Sequence, residues 1–275
     1  MNPNRKHWWL LVLLLDLLAA APTSLAQTLS VGGTGSSEPI IRVLFEEFRK
    51  DVPGATLNQL SPPLGSGGAL KALAAKRISL AVIGRPVKAE EAKLVGQSFL
   101  LAETPFVLAS RDTRQKEGFT LDQLARIFTG ETTTWRDGSP IRLILRPRFE
   151  SDSALLKNMS PAMEKAVDAA TQRPGMVTAD NDLEAVKLIN ETPGSLGSTT
   201  LGLLTTSKAR AVPLAINSVA PSLATLKNGS YPWRKPLVVA LPPEPDALAE
   251  RFAVFLRSSK ARSILQRQDY LPAAP

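Results

Sequence analysis

The stretch TLSVGGTGSSEPIIRVLFEEF, residues 28–48, decides the fold class of this chain. Its first four residues have the composition of a short strand, and the glycine-rich residues 32–37 form a tight turn. A helix is predicted over residues 38–50, because Pro39 suits a first helical turn and apolar side chains at 41, 44, 45 and 48 share one face. A strand joined by a tight turn to an amphipathic helix is the unit from which α/β proteins are built.

The same alternation continues along the rest of the chain. Further strands are predicted at residues 55–60, 78–83, 104–109, 141–145, 212–216 and 236–241, and helices at 69–76, 120–128, 152–158, 160–172, 182–190 and 246–265. We predict an α/β fold of two lobes: lobe I from residues 27–105 and 205–275, and lobe II from residues 106–204. Each lobe is a mixed sheet flanked by helices, and a hinge-bent cleft between two such lobes closes around a ligand.

The first 26 residues have the order of a secretory signal peptide. Arg5 and Lys6 give a basic start, an apolar run follows over residues 10–21, and Ser24-Leu25-Ala26 matches a cleavage site. The run is short for a membrane span, although an uncleaved anchor is the alternative. The sequence has no cysteine, which excludes lipid attachment through an N-terminal cysteine. We therefore predict cleavage after residue 26 and a soluble periplasmic protein.

The charge balance favours a small anion as the partner. The formal net charge is +8, of which the first 26 residues carry +1 (Arg5 and Lys6 against Asp16), so residues 27–275 carry +7. Nucleic-acid modules cluster basic residues beside stacking aromatics. Here the basic residues are dispersed, and aromatics make up 5% of the chain. We expect no nucleic-acid partner, and a monomer is the simplest state for a hinged receptor.

Three predicted strand-to-helix junctions share the chemistry that binds anions. Each places hydroxyls and free backbone N–H groups at a helix N-terminus, where the helix dipole favours negative charge. All three lie at the carboxyl ends of strands, which is where α/β sheets bind ligands. An N-cap explains any one such junction, but three together favour an oxyanion site. The residues predicted to bind the ligand are Thr34, Gly35, Ser36 and Ser37, then Ser66 and Gly67, and then Arg146, Glu150, Ser151, Asp152 and Ser153.

Two arginines and two carboxylates bear on the specificity of this predicted site. Arg146 ends a predicted strand, where its guanidinium can hold two oxygens of an anion at once. Arg85, directly after the strand over residues 78–83, is a further ligand candidate, with a surface position as the alternative. Glu150 and Asp152 can accept the proton that phosphate retains near neutral pH, and they would repel a fully ionised anion such as sulfate. Capping of the following helix is the other explanation for both carboxylates.

The sequence offers little for catalysis. Its one histidine, His7, lies in the leader, and cysteine is absent. Residues 27–275 therefore lack the side chains of a Ser-His-Asp triad, a thiolate nucleophile and the common zinc sites. Asp180 and Asp182 flank a predicted helix start, so capping is their expected role rather than metal binding. We predict a binding protein that is not an enzyme and needs no cofactor; a hydrolase using neither histidine nor cysteine is the weaker alternative.

Several motifs resemble those of the phosphate-binding periplasmic proteins of ATP-driven (ABC) importers. They are VGGTGSS at residues 31–37, GSGGA at 65–69, FTLDQLARIFTG at 119–130 with Trp135, ETPGSLG at 191–197 and YPWRKPL at 231–237. The resemblance covers nearly the whole chain after the leader, in order. It implies a type II two-lobed binding protein that holds phosphate between its lobes and hands it to the membrane subunits of an ABC importer.

The resemblance also implies roles for particular residues, with two departures. Thr34, Ser36 and Ser37 match the first anion loop of the family, Ser66 and Gly67 the second, and Arg146 with Ser151 to Ser153 the third. The third loop usually has the form Arg-x-Asp-Gly-Ser-Gly-Thr, but here it is RPRFESDS at residues 146–153. Where the family usually has an aspartate that accepts the phosphate proton, this chain has Gly84-Arg85-Pro86.

The predicted ligand is therefore a small oxyanion, with phosphate as the first candidate. Sulfate and other oxyanions are the competing ligands, because the usual proton acceptor is missing. Membrane subunits of an ABC importer are the expected partner. An anion-responsive partner of a sensor or surface complex, and a scaffold that has lost binding, are the alternatives.

Overall fold

A computed structural model describes residues 27–112 and 118–274 of the chain. The predicted signal peptide, residues 1–26, lies outside the described residues. Within the two described ranges, no helix combines the length and the hydropathy that crossing a membrane requires.

The first part of the chain alternates strands and helices as predicted. Its elements are β1 (Thr28–Gly33), α1 (Glu38–Phe48), β2 (Thr56–Gln59), α2 (Gly65–Ala74), β3 (Leu80–Ile83) and the long β4 (Gln97–Ser110). Short 3-10 helices, Gly35–Ser37 and Ala89–Leu94, precede α1 and β4. Helix α1 buries Ile40, Ile41, Leu44, Phe45 and Phe48 along one face, which confirms the strand, turn and amphipathic helix predicted over residues 28–48.

Helix α2 begins at Gly65, four residues before its predicted start at residue 69. The sequence predicts Gly65-Ser-Gly-Gly as the junction that precedes this helix, and glycine has a low helix propensity. Gly65 has a φ of +66°, which glycine adopts without strain, and the helix continues directly from it. Ser66 and Gly67 therefore lie in the first turn of a helix.

The remaining elements continue the alternation and then close the fold. They are α3 (Leu121–Thr129), β5 (Arg142–Leu145), α4 (Ser151–Lys157), α5 (Pro161–Gln172), β6 (Val177–Thr178), α6 (Asp182–Glu191), β7 (Ser195–Thr200), α7 (Leu201–Thr206), β8 (Val212–Pro213), α8 (Leu223–Lys227), β9 (Arg234–Leu241), α9 (Ala247–Leu256), α10 (Ser259–Arg267) and β10 (Leu271–Pro272). Helix α3 ends at Gly130, whose φ of 85° is that of a left-handed C-cap, as predicted from its position.

Strand β4 connects two halves of one hydrogen-bonded sheet. The strand order is β2-β1-β3-β9-β4-β7-β5-β6, with β8 and β10 also paired to β4. Strand β1 is parallel to β2 and β3, and β5 is parallel to β6 and β7. Residues 97–105 of β4 pair antiparallel with β9, whereas residues 106–109 pair antiparallel with β7. The sheet therefore divides within β4, at the point where β9 begins.

Separate hydrophobic cores lie on either side of this division. In lobe I, alternate residues of β3 and β9 face α1 and α9 on one side of the sheet and α2 on the other. In lobe II, Phe106, Phe128 and Trp135 pack with α5 and α6. This arrangement confirms the predicted mixed α/β architecture.

Part of the segment before β9, which belongs to the predicted lobe I, contacts the other core. Leu214, Ile216 and Tyr231 pack in the cluster that contains Phe106 and Phe128. Strand β8 pairs with Ala109 and Ser110 of β4, and the Tyr231 hydroxyl donates a 2.8 Å hydrogen bond to the Phe106 carbonyl. These contacts hold the segment to lobe II until β9 begins, and the exact lobe division stays a prediction.

Candidate functional site

The three predicted anion junctions meet at the carboxyl ends of β1, β3 and β5. A β-carbon at Gly84, directly after β3, would lie 3.6 Å from Cγ2 of Thr34 and 3.5 Å from Oγ of Ser151. A β-carbon at Gly65 would lie 3.3 Å from Oε1 of Glu150. The backbone N–H of Gly84 donates a 3.1 Å hydrogen bond to Oγ of Ser66. Residues from all three junctions therefore surround Gly84, across the boundary between the lobes.

The first junction, residues 34–37, is buried and is held by backbone and side-chain hydrogen bonds. Its Thr34 N–H donates to the Val82 carbonyl over 3.0 Å, and the Ser37 hydroxyl donates to the Thr34 carbonyl over 2.7 Å. Gly35 lies against the start of α6, where a β-carbon would be 3.2 Å from the backbone nitrogen of Asp182. The Oγ atoms of Ser36 and Thr34 are 3.2 Å apart. Hydroxyls of lobe I thus face a helix start of lobe II.

Arg146 is a buried cation with spare hydrogen-bonding capacity. Its side chain is 1% exposed, and Nη1 donates a 2.7 Å hydrogen bond to the Ala179 carbonyl. Its Nη2 lies 3.6 Å from Oε2 of Glu150. Among residues 27–112 and 118–274, Nε of Arg146 has no hydrogen-bond partner. A buried donor without a partner is costly to the folded state.

The rest of the third junction has mixed roles. The Ser153 hydroxyl lies 3.1 Å from the Arg146 carbonyl and 2.9 Å from the Pro147 carbonyl, so it holds the turn in shape. Glu150 occupies the N-cap position of α4, but its side chain makes no capping hydrogen bond. Partial burial raises the pKa of Glu150, which makes it easier to protonate than an ordinary glutamate.

Arg85 is paired within its own lobe. Its two terminal nitrogens each lie 2.7 Å from an oxygen of Glu91, which is in the 3-10 helix before β4. This bidentate pair lowers the pKa of Glu91, chiefly through the hydrogen bonds from Arg85. The Arg85 side chain is 23% exposed, and its Nη2 would lie 3.9 Å from a β-carbon at Gly67. The structure therefore places Arg85 at the rim of the site rather than at its centre.

Lys235 is the central cation that the sequence did not reveal. It lies in β9, is 1% exposed, and donates 2.5 Å hydrogen bonds to Oδ1 of Asp152 and Oδ1 of Asp182. Its Cε would be 2.8 Å from a β-carbon at Gly84. Strand β9 begins at Arg234, two residues before the strand predicted over residues 236–241, so Lys235 lay outside the predicted strand. The motif YPWRKPL at residues 231–237 contains Lys235, but the sequence analysis gave this lysine no role.

Asp182 is an ion-pair partner and not the cap that we expected. The capping residue of α6 is Asn181, whose side chain accepts a 3.0 Å hydrogen bond from the Glu184 N–H. Oδ2 of Asp182 accepts a 2.6 Å hydrogen bond from the Thr34 hydroxyl. Its Oδ1 accepts a hydrogen bond from the Lys235 ammonium. Its carboxylate therefore joins the first junction to Lys235.

The buried charges of this cluster shift one another's pKa values. Burial raises the pKa of Asp152, and the nearby Lys235 charge only partly offsets this effect. For Asp182, burial is opposed by the charges of Lys235 and Arg146 and by two hydrogen bonds, which together hold its pKa well below the usual range. Burial disfavours the charged form of Lys235, but the two carboxylates outweigh it and raise the pKa of the ammonium. Burial therefore favours the protonated form of Asp152, whereas Lys235, Arg146 and the hydrogen bonds favour the charged form of Asp182.

The fully buried charged side chains of the candidate site have a formal net charge of zero. Lys235 and Arg146 supply two positive charges, and Asp152 and Asp182 supply two negative charges. Oδ2 of Asp152 has no hydrogen-bond partner in the described part of the chain. The site thus presents an unpaired donor on Arg146 and an unpaired acceptor on Asp152.

Comparison with known proteins places the chain in a family. The model of the PBP superfamily domain matches residues 19–260. The chain belongs to the PBP superfamily. The phosphate-binding protein PstS of Bacillus subtilis (strain 168) is similar, with 25% identity over 254 residues that cover 89% of this chain and 80% of that protein.

Solved structures share the PBP superfamily fold with this chain. One of them is a proposed phosphate ABC transporter substrate-binding protein from Clostridium perfringens, solved with bound phosphate. It has a TM-score of 0.73 at 17% sequence identity, and the match covers 90% of this chain and 100% of that protein's chain. The periplasmic molybdate-binding protein of Azotobacter vinelandii has a TM-score of 0.63 at 15% identity, with the same coverage. These likenesses confirm the predicted two-lobed, type II fold.

Proposed function

We propose that this chain is an exported solute-binding protein that captures phosphate between its two lobes and presents it to the membrane subunits of an ABC importer. The PstS relative and the phosphate-bound structure support phosphate as the ligand. The leader-like residues 1–26 support export to the periplasm. The buried hydroxyls and helix starts around Gly84 support an anion site at the division between the lobes.

The observation that carries the proposal is the unpaired donor and acceptor in the buried cluster. Nε of Arg146 can donate to an oxygen of the ligand, and Oδ2 of Asp152 can accept a hydrogen bond from it. Phosphate satisfies both, because it has oxygens for Arg146 and retains a proton near neutral pH for Asp152. Fully ionised sulfate has no such proton, so its oxygen would face the carboxylate without a hydrogen bond between them. Asp152 would then take the part of the aspartate that the family pattern has near Gly84.

Binding without chemical change is part of the same proposal. Residues 27–275 contain neither histidine nor cysteine, and Asp152 and Asp182 each accept a hydrogen bond from Lys235. The PstS relative named above is a phosphate-binding protein. The proposed role of the site is therefore to hold and release an anion.

A thermal-shift panel of phosphate, sulfate, molybdate and citrate tests the proposed function. A ligand at about 100 times its dissociation constant stabilises the folded state by about 2.7 kcal/mol. We expect phosphate to raise the melting temperature and an equal concentration of sulfate to leave it nearly unchanged. Absence of a shift with every oxyanion would overturn the proposal, and a sulfate shift equal to that of phosphate would refute the assignment of Asp152.

A further inference from the structure

The ammonium of Lys235 lies among all the elements that form the candidate site. Its Cε is beside Gly84, and a β-carbon there would also contact Thr34 of the first junction and Ser151 of the third. The residue belongs to β9, where it pairs with Thr104 of β4 close to the division between the lobes. Lys235 is therefore fixed by the sheet, while the groups around it come from both lobes.

The absence of a side chain at position 84 makes room for this ammonium. A β-carbon on Gly84 would lie 2.8 Å from Cε of Lys235, closer than nonbonded carbon atoms normally approach. The φ of Gly84 is not in the left-handed region, so the backbone does not itself require glycine here. The glycine is explained by the position of Lys235, and the two residues form one structural unit.

Within residues 27–112 and 118–274, the Lys235 ammonium bonds two acceptors, so one of its N–H bonds is available to a ligand. An ammonium has three N–H bonds, and the hydrogen bonds described for Lys235 go to Asp152 and Asp182. Arg85, the cation predicted from sequence, has its guanidinium engaged by Glu91. Lys235 and Arg146 are thus the cations buried at the meeting point of the junctions.

The two carboxylates explain how a buried ammonium is kept charged before a ligand arrives. An isolated buried charge is costly, whereas a paired and hydrogen-bonded one is tolerated. Asp182 is itself held by the Thr34 hydroxyl, so it positions the ammonium relative to lobe I.

We infer that Lys235 is an anion-binding residue of this cleft, and that Asp152 and Asp182 hold its ammonium in place for the oxyanion. The inference rests on the proposed function. Arg146 and Lys235 then bind the oxyanion together, and Gly84 is required because any side chain there would displace Lys235.

Charge-matched variants test this inference by titration calorimetry with inorganic phosphate. Lys235→Met combined with Asp182→Asn keeps the buried charges balanced, as in the wild type, but lacks the ammonium. We expect this double variant to bind phosphate about 10- to 100-fold more weakly than the wild type, since a hydrogen bond to a charged group is lost. Asp182→Asn alone keeps the ammonium but removes one of the two carboxylates that hold it, so we expect a smaller loss of phosphate affinity than in the double variant. Lys93→Met, at an exposed lysine, is the control.

The outcomes separate the inference from the proposed function. If the wild type binds no phosphate, the proposed function fails. If the wild type and the folded double variant bind phosphate equally well, Lys235 is a structural partner of Asp182 only and the inference is wrong. If the double variant does not unfold cooperatively in urea, it is not folded, and a second measurement on the wild type replaces it. This measurement is ¹⁵N NMR of the lysine ammonium groups, in which the signal that Lys235→Arg removes is assigned to Lys235. Phosphate must then shift the Lys235 signal, and an unchanged signal at saturation overturns the inference.

Discussion

Thr34 and Asp182 are 148 positions apart in sequence, yet the Thr34 hydroxyl donates a 2.6 Å hydrogen bond to Oδ2 of Asp182. Thr34 follows β1 in lobe I, whereas Asp182 begins α6 in lobe II. Both residues are buried, and Gly35 packs against the same helix start. This bond therefore links the lobes across the candidate site, and it does so through a carboxylate that also pairs with Lys235.

Replacing Thr34 by valine tests this link. The substitution keeps the shape of the side chain but removes the donor to a buried carboxylate, so we expect the free energy of unfolding to fall by about 1–3 kcal/mol. Urea denaturation without ligand measures the change. Thr28→Val is the control, because the Thr28 hydroxyl bonds Thr56 at an exposed position. Equal stabilities for the two variants would show that the link contributes nothing.

Acid denaturation should depend on Asp182. Its pKa in the folded protein is held below the ordinary value of 3.8. As the pH falls below that value, the unfolded chain protonates Asp182 while the folded chain does not, so the free energy of unfolding decreases. We expect Asp182→Asn to flatten this part of the pH profile, measured by urea midpoints between about pH 2.5 and pH 6. Asp122→Asn, at an exposed carboxyl, should keep the wild-type slope, and identical slopes in all three proteins would contradict the assignment.

Removal of Arg146 should abolish tight phosphate binding. Arg146→Met leaves a buried apolar side chain and removes the charged donors, for an expected loss of roughly 100-fold or more in affinity. Arg148→Met is the matched control, since Arg148 is exposed and bonds Thr171 on the surface. Titration calorimetry compares them, and a loss of affinity common to both variants would point to overall charge rather than to a specific contact.

Alanine at position 84 should disturb the site through Lys235. The added β-carbon would lie 2.8 Å from Cε of Lys235, so the lysine must move away from Asp152 and Asp182. We expect phosphate affinity to fall about tenfold, in line with the loss of one charged hydrogen bond. In Gly68→Ala the new β-carbon meets Cβ of Leu64 at 3.3 Å, a contact that a shift of a few tenths of an ångström relieves. We expect Gly68→Ala to bind phosphate with the affinity of the wild type. Wild-type affinity in Gly84→Ala would show that moving Lys235 does not affect phosphate binding.

Local pattern was enough to predict the main elements and the three junctions. Helix α1 and the turn before it are predicted from the spacing of apolar residues and from Pro39. Both signals involve only residues that are close together in sequence. The same reasoning placed Thr34, Ser66 and Arg146 at strand ends, which the sheet then brings together.

Lys235 and the pairing role of Asp182 were missed because their contacts are distant in sequence. Lys235 is 83 residues from Asp152 and 53 from Asp182, and no periodic pattern encodes such pairs. Asp182 was read as a helix cap because its position fits one, but Asn181 has that role. The pairing of Arg85 with Glu91 depends on a 3-10 helix that the sequence did not predict.

Titration of the purified protein with phosphate in the presence of a large excess of sulfate tests the central claim most directly. The unpaired Arg146 Nε and Asp152 Oδ2 require an anion that both accepts and donates hydrogen bonds. We expect one phosphate to bind per chain, with an affinity that excess sulfate leaves nearly unchanged. Loss of phosphate binding in sulfate, or no binding of phosphate at all, would contradict it.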